Sequence, residues 1–152
     1  MTPSRLSAIV IAERIGWTES MLAGIRALPL ESLDAFGADP RTQAAAESYL
    51  RRALEALLDL GRHVLAKGFA QPAVEYRDIP RHLATHGIIT DADVVTWLKM
   101  AGYRNRMVHV YAEVSQAELY EICVDRLGDI EAALAAMRRW IAAHPELLDG
   151  AL

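Results

Sequence analysis

"RTQAAAESYLRRALEALLDLGRHVLAKG", residues 41–68, repeats Leu50, Ala53, Leu54, Leu57, Gly61 and Val64 at spacings of three and four. That is the period of one buried helical face. It predicts a long amphipathic helix with a stop at Gly68, because glycine readily takes the backbone conformation that ends a helix. The same period continues on both sides. Leu6, Val10, Glu13, Trp17, Met21 and Leu28, with Ile9, Leu22 and Ile25 beside them, predict a first helix capped by Ser4 and closed by a linker carrying Pro29, Gly37 and Pro40. Past the loop "FAQPAVEYRD" with its Pro72, Asp78 and Pro80 open a short third helix that ends near Gly87. Thr90 with Asp93 has capping-box spacing and starts a fourth helix. Ser115 with Glu118 repeats the box before a fifth, in which Leu119, Ile122, Cys123, Ile130, Leu134, Met137 and Ile141 run as one stripe to His144 and Pro145. No segment sustains a period of two between turn dipeptides, so strands are not expected. The pattern predicts an all-α antiparallel bundle of about five helices, one domain over residues 1–152 without internal repeats.

A chain of 152 residues, 53% of them hydrophobic, can bury roughly 70% of its unfolded surface and needs neither disulfide nor metal to fold. The single cysteine, Cys123, lies among Leu119, Ile122 and Leu127 and reads as a buried core thiol. The apolar run near the N-terminus is soon broken by Glu13 and Arg14, and nowhere do about 18 apolar residues follow one another. A soluble, cytoplasmic protein without a membrane partner is expected. A net charge of -4 argues against a general nucleic-acid coat, because such proteins neutralise many phosphates with Lys and Arg, and no DNA partner is expected. Any RNA contact must be local, and Lys99, Arg104, Arg106 and His109 form the basic cluster that could make it.

That cluster sits in "GYRNRMVHVYAEV", residues 102–114, at the end of the fourth helix. At about 100° per residue, Val94, Ala101 and Val108 mark the centre of its apolar stripe. Arg104 then falls roughly 60° to one side, with Tyr111 just beyond, and His109 roughly 80° to the other; Asn105 lies almost on the stripe, while Lys99, Tyr103 and Arg106 point away. A buried polar group without a partner costs about 1 to 3 kcal/mol, so these side chains need partners. Taken singly, each has an ordinary one: a carboxylate for Arg104, a carbonyl for His109, water for the Tyr111 hydroxyl. Taken together, an Arg and a His about 140° apart can reach one target only if the helix ends near His109 or a two-fold partner brings in a second copy.

On the second helix Glu55, Asp59 and His63 recur every four residues and share a face. Such a trio can bind a metal, be solvated, or support the polar cluster, with Asp59 or Glu55 as the carboxylate for Arg104. His82, His86 and His144 are scattered and no cysteine pair accompanies them, so zinc is not expected. There is also no Gly-rich phosphate loop and no Gly-x-Ser-x-Gly elbow. Trp17, Trp97 and Trp140 fit core or interface anchors.

"RNRMVHVY", residues 104–111, resembles the motif of the HepT-like branch of the HEPN ribonucleases: Arg-Asn, four residues in all between the Arg and the His, then His-x-Tyr. These proteins are the toxin half of MNT/HEPN toxin–antitoxin pairs. The likeness extends to "ALEALLDLGRHVLA", where Glu55, Asp59 and His63 match the family's acidic and His positions, to "HLATHGIIT" before the motif helix, and to "VDRLGDIEAAL" in the last helix. It covers most of residues 44–140. Val110 stands where many relatives carry a polar residue, and Arg62 where Asn is frequent.

The resemblance implies a HEPN-like bundle that forms a homodimer through the motif helix and cuts RNA without metal or other cofactor. Arg104 and His109 would be catalytic, with Asn105, Arg106, Asp59 and Glu55 in support. His109 can exchange a proton near neutral pH, and Arg104 can hold a phosphate whose charge grows in the transition state. Tyr111 matches the position at which an MNT-type nucleotidyltransferase antitoxin attaches AMP, an off switch that would set negative charge and bulk beside Arg104. The alternative is a non-catalytic helical HEPN module that dimerises and docks a nucleotidyltransferase.

Overall fold

The computed structural model describes residues 2–109 and 114–152. Tyr111, with Val110, Ala112 and Glu113, lies outside the described residues. Helix α3, Pro40–Phe69, runs through the middle of the fold, and Leu50, Leu54, Leu57, Leu58, Leu60 and Val64 on it are fully or almost fully buried. Each such leucine contributes about 2 kcal/mol by leaving water. The predicted stripe is therefore real, and it is wider than the spacing alone indicated. Other helices cover α3 on several sides.

Helix α1, Ala8–Arg26, packs antiparallel to it: the Ser7 N–H donates to His63 Nε2 at 3.0 Å at one end, and Tyr49 sits against Gly24 at the other. Helix α5, Asp91–Val108, is also antiparallel to α3, with Trp97 beside Gly61 and Arg104 beside Glu55. Helix α7, Leu127–Ala142, runs alongside in the same direction as α3, and its Trp140 meets Phe69. Short α4, Ile79–Thr85, follows a single turn of 3-10 helix at Tyr76–Asp78 and closes one end. Among the described residues the only β-type pairing is a parallel bridge between Leu6 and Leu148, so the bundle is all-α.

Several helix ends differ from the sequence reading. α1 begins at Ala8, not near Ser4: Ser7 Oγ accepts from the Val10 N–H, and Leu6 is held in the bridge. The linker before α3 contains a five-residue helix, α2, Leu33–Gly37, capped by Ser32, and Pro40 opens α3 under the Asp39 cap instead of closing the linker. α3 does not stop at Gly68. It continues through Phe69, whose ring is fixed between His86 and Trp140, and ends at Ala70 in the left-handed region with φ 52°. Gly87, at φ 72°, does end the third predicted helix, and only glycine takes that conformation without strain. The fifth predicted helix is continuous, running from α6, Gln116–Glu121, through a turn of π-helix at Ile122–Arg126 into α7.

The apolar face of α5 is also rotated from its expected position. Trp97, Met100 and Ala101 are its buried residues, while Val108 is 40% exposed. Arg104, two turns from Trp97, therefore lies along the buried face itself, not beside it.

Candidate active site

The last turns of α5 carry the polar cluster. Arg104 has a side chain 25% exposed, and its Nε donates to Glu55 Oε1 on α3 at 3.2 Å. Glu55 also accepts from Arg51 Nη1 one turn earlier, at 3.2 and 3.3 Å. Arg104 Nη1 donates to Asn105 Oδ1 at 3.2 Å. The guanidinium carbon lies over the ring of Tyr76, 4.6 Å from its centre. Three contacts from three directions fix the plane of the group. Among the described residues Nη2 has no hydrogen-bond partner, which leaves an oriented donor for an anion.

Tyr76 belongs to a second network. Its hydroxyl donates to Asp59 Oδ1 at 3.0 Å, the oxygen that also accepts from Arg62 Nη1 at 3.1 Å. Arg62 in turn donates from Nε and Nη2 to the carbonyls of Ala73 and Val74, which pins the loop that delivers Tyr76, and its guanidinium carbon is likewise 4.6 Å from the Tyr76 ring centre. Burial, then the Asp59 charge, pushes the Tyr76 phenol above its usual range, so it stays a protonated donor. Of the two carboxylates expected to pair with Arg104, Glu55 does so directly and Asp59 acts through Tyr76.

His63, third on the same face, takes no part. Its Nε2 accepts the Ser7 N–H, and burial, reinforced by the nearby Lys67 charge, lowers its pKa. The trio Glu55, Asp59 and His63 thus divides among three tasks and does not converge on a point.

His109 caps α5. Its N–H donates to the Asn105 carbonyl at 3.2 Å, but its own backbone is extended, φ -98° and ψ 120°. The helix does end at His109, one of the two conditions under which the Arg and His can face a common target. The imidazole is exposed, at the edge of a cleft of about 290 Å³ lined also by Gln43, Glu47, Arg106 and Val114. No hydrogen bond joins His109 to Arg104 among the described residues: one chain presents the two groups at adjacent but separate places.

Arg106 faces away from Arg104, as its position two residues on requires, and is not free in solvent. Its Nη1 and Nη2 donate to both oxygens of Glu118 on α6, at 2.5 and 2.7 Å. These bonds hold the Glu118 carboxyl below its usual range. The predicted box at Ser115 is consequently only half made: Ser115 Oγ accepts the Glu118 N–H, but the Glu118 side chain goes to Arg106 and not back to the cap. At Thr90 and Asp93, where no arginine competes, both halves form.

Tyr76 and the Arg106–Glu118 pair were not foreseen. Tyr76 sits in a loop without periodicity, so nothing local marks it. The Arg62–Asp59 pair had a signal, since residues three apart on a helix are neighbours.

Residues 19–137 match the family of HepT-like ribonucleases. The fold is similar to that of a tri-AMPylated HEPN toxin of Shewanella oneidensis solved in complex with MNT antitoxin, with a TM-score of 0.77 at 23% identity over 86% of this chain and 97% of that one. A toxin–antitoxin structure with AMP-PNP gives 0.76 at 22% identity over 86% and 98%. YutE of Bacillus subtilis, a cytosolic protein of unknown function, gives 0.71 at 20% identity over 93% of each chain. No curated protein sequence matches. At these identities the structural likeness is one of fold.

Proposed function

The chain belongs to the HepT-like ribonuclease family, and from that premise we propose that it is the toxin of a toxin–antitoxin pair, an endoribonuclease that needs no metal. The observation that carries the reading is the end of α5: an arginine clamped by Glu55, Asn105 and Tyr76, with Nη2 unpartnered among the described residues, and a histidine that leaves the helix five residues later. In the reaction a ribose 2′-oxygen loses its proton to one imidazole and attacks the adjacent phosphorus. The 5′-oxygen leaves with a proton from a second imidazole, giving a 2′,3′-cyclic phosphate and a 5′-hydroxyl. Arg104 holds the phosphoryl oxygens as their charge increases. DNA, without the 2′-hydroxyl, is inert to this chemistry.

One chain supplies one histidine at this site, so acid and base come from two copies across a two-fold axis. That is the chemical ground for a homodimer formed through the motif helix, and the separation of Arg104 from His109 within one chain fits it. The toxin–antitoxin complexes with a similar fold support an MNT nucleotidyltransferase as partner. AMP on Tyr111, outside the described residues, would oppose phosphate binding at Arg104 by like charge and bulk. The other reading, a docking module without turnover, requires that the same end of α5 bind without cutting.

The test is total RNA incubated in EDTA with the unmodified protein, its mass verified, beside folded His109→Ala and Arg104→Ala. Cleavage that survives chelation and is lost in both variants is the expected outcome. RNA left equally intact by all three, with the wild type folded and dimeric, refutes the ribonuclease and leaves the module.

A further inference from the structure

On the side of α5 away from Arg104, a second cleft of about 300 Å³ opens between α3, α5 and the π turn that leads into α7. Its floor is apolar, with Leu50, Leu54, Met100 and Ile130 all buried. Tyr103 forms a partly buried aromatic wall. The charged groups stand at the rim: Lys99 from α5, Arg126 from the π turn, and Asp129 from the first turn of α7. The remaining two, Arg106 and Glu118, neutralise each other in their bidentate pair. The rim is thus left with two cations and one carboxylate. Three observations together suit a nucleotide: a volume at the lower limit of small-ligand sites, an apolar floor with an aromatic side, and cations only at the mouth.

The cleft also adjoins the candidate active site. Arg106 lines it on one side and lines the His109 cleft on the other. A strand whose scissile phosphate lies at the end of α5 would carry a neighbouring nucleotide past the Arg106–Glu118 pair to this opening. π turns of this kind recur at functional sites, and here the turn is what places Arg126 at the rim.

We propose that this cleft is a base-binding subsite for single-stranded RNA beside the scissile phosphate, one that selects a base carrying an exocyclic amino group. Tyr103 takes the face of the base. Lys99 and Arg126 hold flanking phosphates. The Asp129 carboxylate accepts from the amino group, as acidic side chains do from cytosine and adenine amines, and repels a carbonyl at the same place. This inference rests on RNA being the substrate, and its test separates the two.

The probes are 2′-O-methyl hexanucleotides of adenosine and of inosine, which cannot be cut through the 2′-oxygen and differ in amino against carbonyl at one ring position. AMP alone is the third probe. Binding to the full chain is followed by fluorescence anisotropy over a salt series, for wild type, for Lys99→Ala with Arg126→Ala, and for Asp129→Asn. The adenosine oligomer should bind about tenfold tighter than the inosine oligomer, and Asp129→Asn should remove that preference. The double variant should bind the adenosine oligomer roughly tenfold more weakly, with a salt slope smaller by about 1.4 for two lost phosphates. Equal binding of both oligomers by wild type overturns the selectivity, and an unchanged double variant overturns the subsite. AMP binding that needs Lys99 and Arg126 while oligomer binding ignores them assigns the cleft to a free nucleotide and also overturns it. Cleavage of unmodified RNA is scored separately. Rim-dependent binding without cleavage leaves the subsite standing and refutes the ribonuclease; cleavage indifferent to the rim does the reverse.

Discussion

Tyr76 holds the candidate site together, and removing it in two steps separates what its ring does from what its hydroxyl does. Tyr76→Phe deletes the bond to Asp59 and keeps the aromatic face. A hydrogen bond to a charged group contributes about 1.5 to 3 kcal/mol. Asp59 is 31% exposed and retains Arg62, so solvent screening and the surviving pair reduce the loss to about 1 kcal/mol. Tyr76→Leu also removes the face that both guanidinium groups lie over, each contact worth about 0.5 to 1 kcal/mol at a partly exposed place. The expected total is about 2 to 3 kcal/mol. For a chain of this size that lowers the melting temperature by roughly 5 to 10 °C.

Urea unfolding at neutral pH measures the two losses directly. The ribonuclease reading adds a second readout, because a clamp that shifts by about an ångström can cost about a hundredfold in rate. Tyr76→Leu should depress RNA cleavage strongly and Tyr76→Phe only mildly. If Phe destabilises as much as Leu, the ring contributes nothing and the stacking of Arg104 and Arg62 on it is incidental. If neither variant moves the midpoint, the network is not a structural element at all.

Three further outcomes follow from other parts of the fold. Half-buried His63 must stay neutral to accept the Ser7 N–H, and its pKa lies below the ordinary histidine value in the folded chain, so the unfolded chain binds the extra proton first; stability should fall as the pH drops below about 6.5, and His63→Gln should flatten that part of a urea-midpoint series. Cys123 is 2% exposed and burial pushes its thiol up to about 11, so an aromatic disulfide reagent at mildly alkaline pH should react with it only as fast as the chain opens, and at once in urea. A Cβ at Gly61 would stand 2.8 Å from Ile79 Cγ2 and 3.2 Å from Leu83 Cδ1; Gly61→Ala should therefore destabilise by about 1 kcal/mol in thermal unfolding, although alanine in an open helix would gain nearly that much.

The elements that were legible in the sequence are those whose partners are close along the chain. The α3 stripe follows from spacing, the Thr90 box from two residues three apart, and the Arg104, Asn105, His109 cluster from polar groups on a face that should be apolar. What escaped was set by groups distant in sequence. Glu118 looked like a capping residue for Ser115 and is one only by its backbone, because Arg106 offers two charged donors against a single neutral N–H. Phe69 carries α3 past Gly68 because His86 and Trp140, on other helices, meet its ring. Tyr76 became visible only once Arg62 had tied the loop to α3.

The roll of α5 shows how such a distant contact positions the chemistry. Its sequence offers two candidate apolar lines, and the one through Val94, Ala101 and Val108 is as regular as the one through Trp97, Met100 and Ala101. Spacing cannot choose between them. The packing does: Trp97 is fully buried with its Cζ3 against α3 at Gly61, while Val108 is left 40% exposed, and the space of the missing Cβ itself is taken by Ile79 and Leu83 of α4. With Trp97 seated, the next two turns of α5 advance about 10.5 Å to Arg104, while six residues back along antiparallel α3 span about 9 Å from Gly61 to Glu55. The two lengths agree to within the reach of an arginine. Glu55 thus meets Arg104 as a consequence of where Trp97 is seated against α3, two turns away from the chemistry.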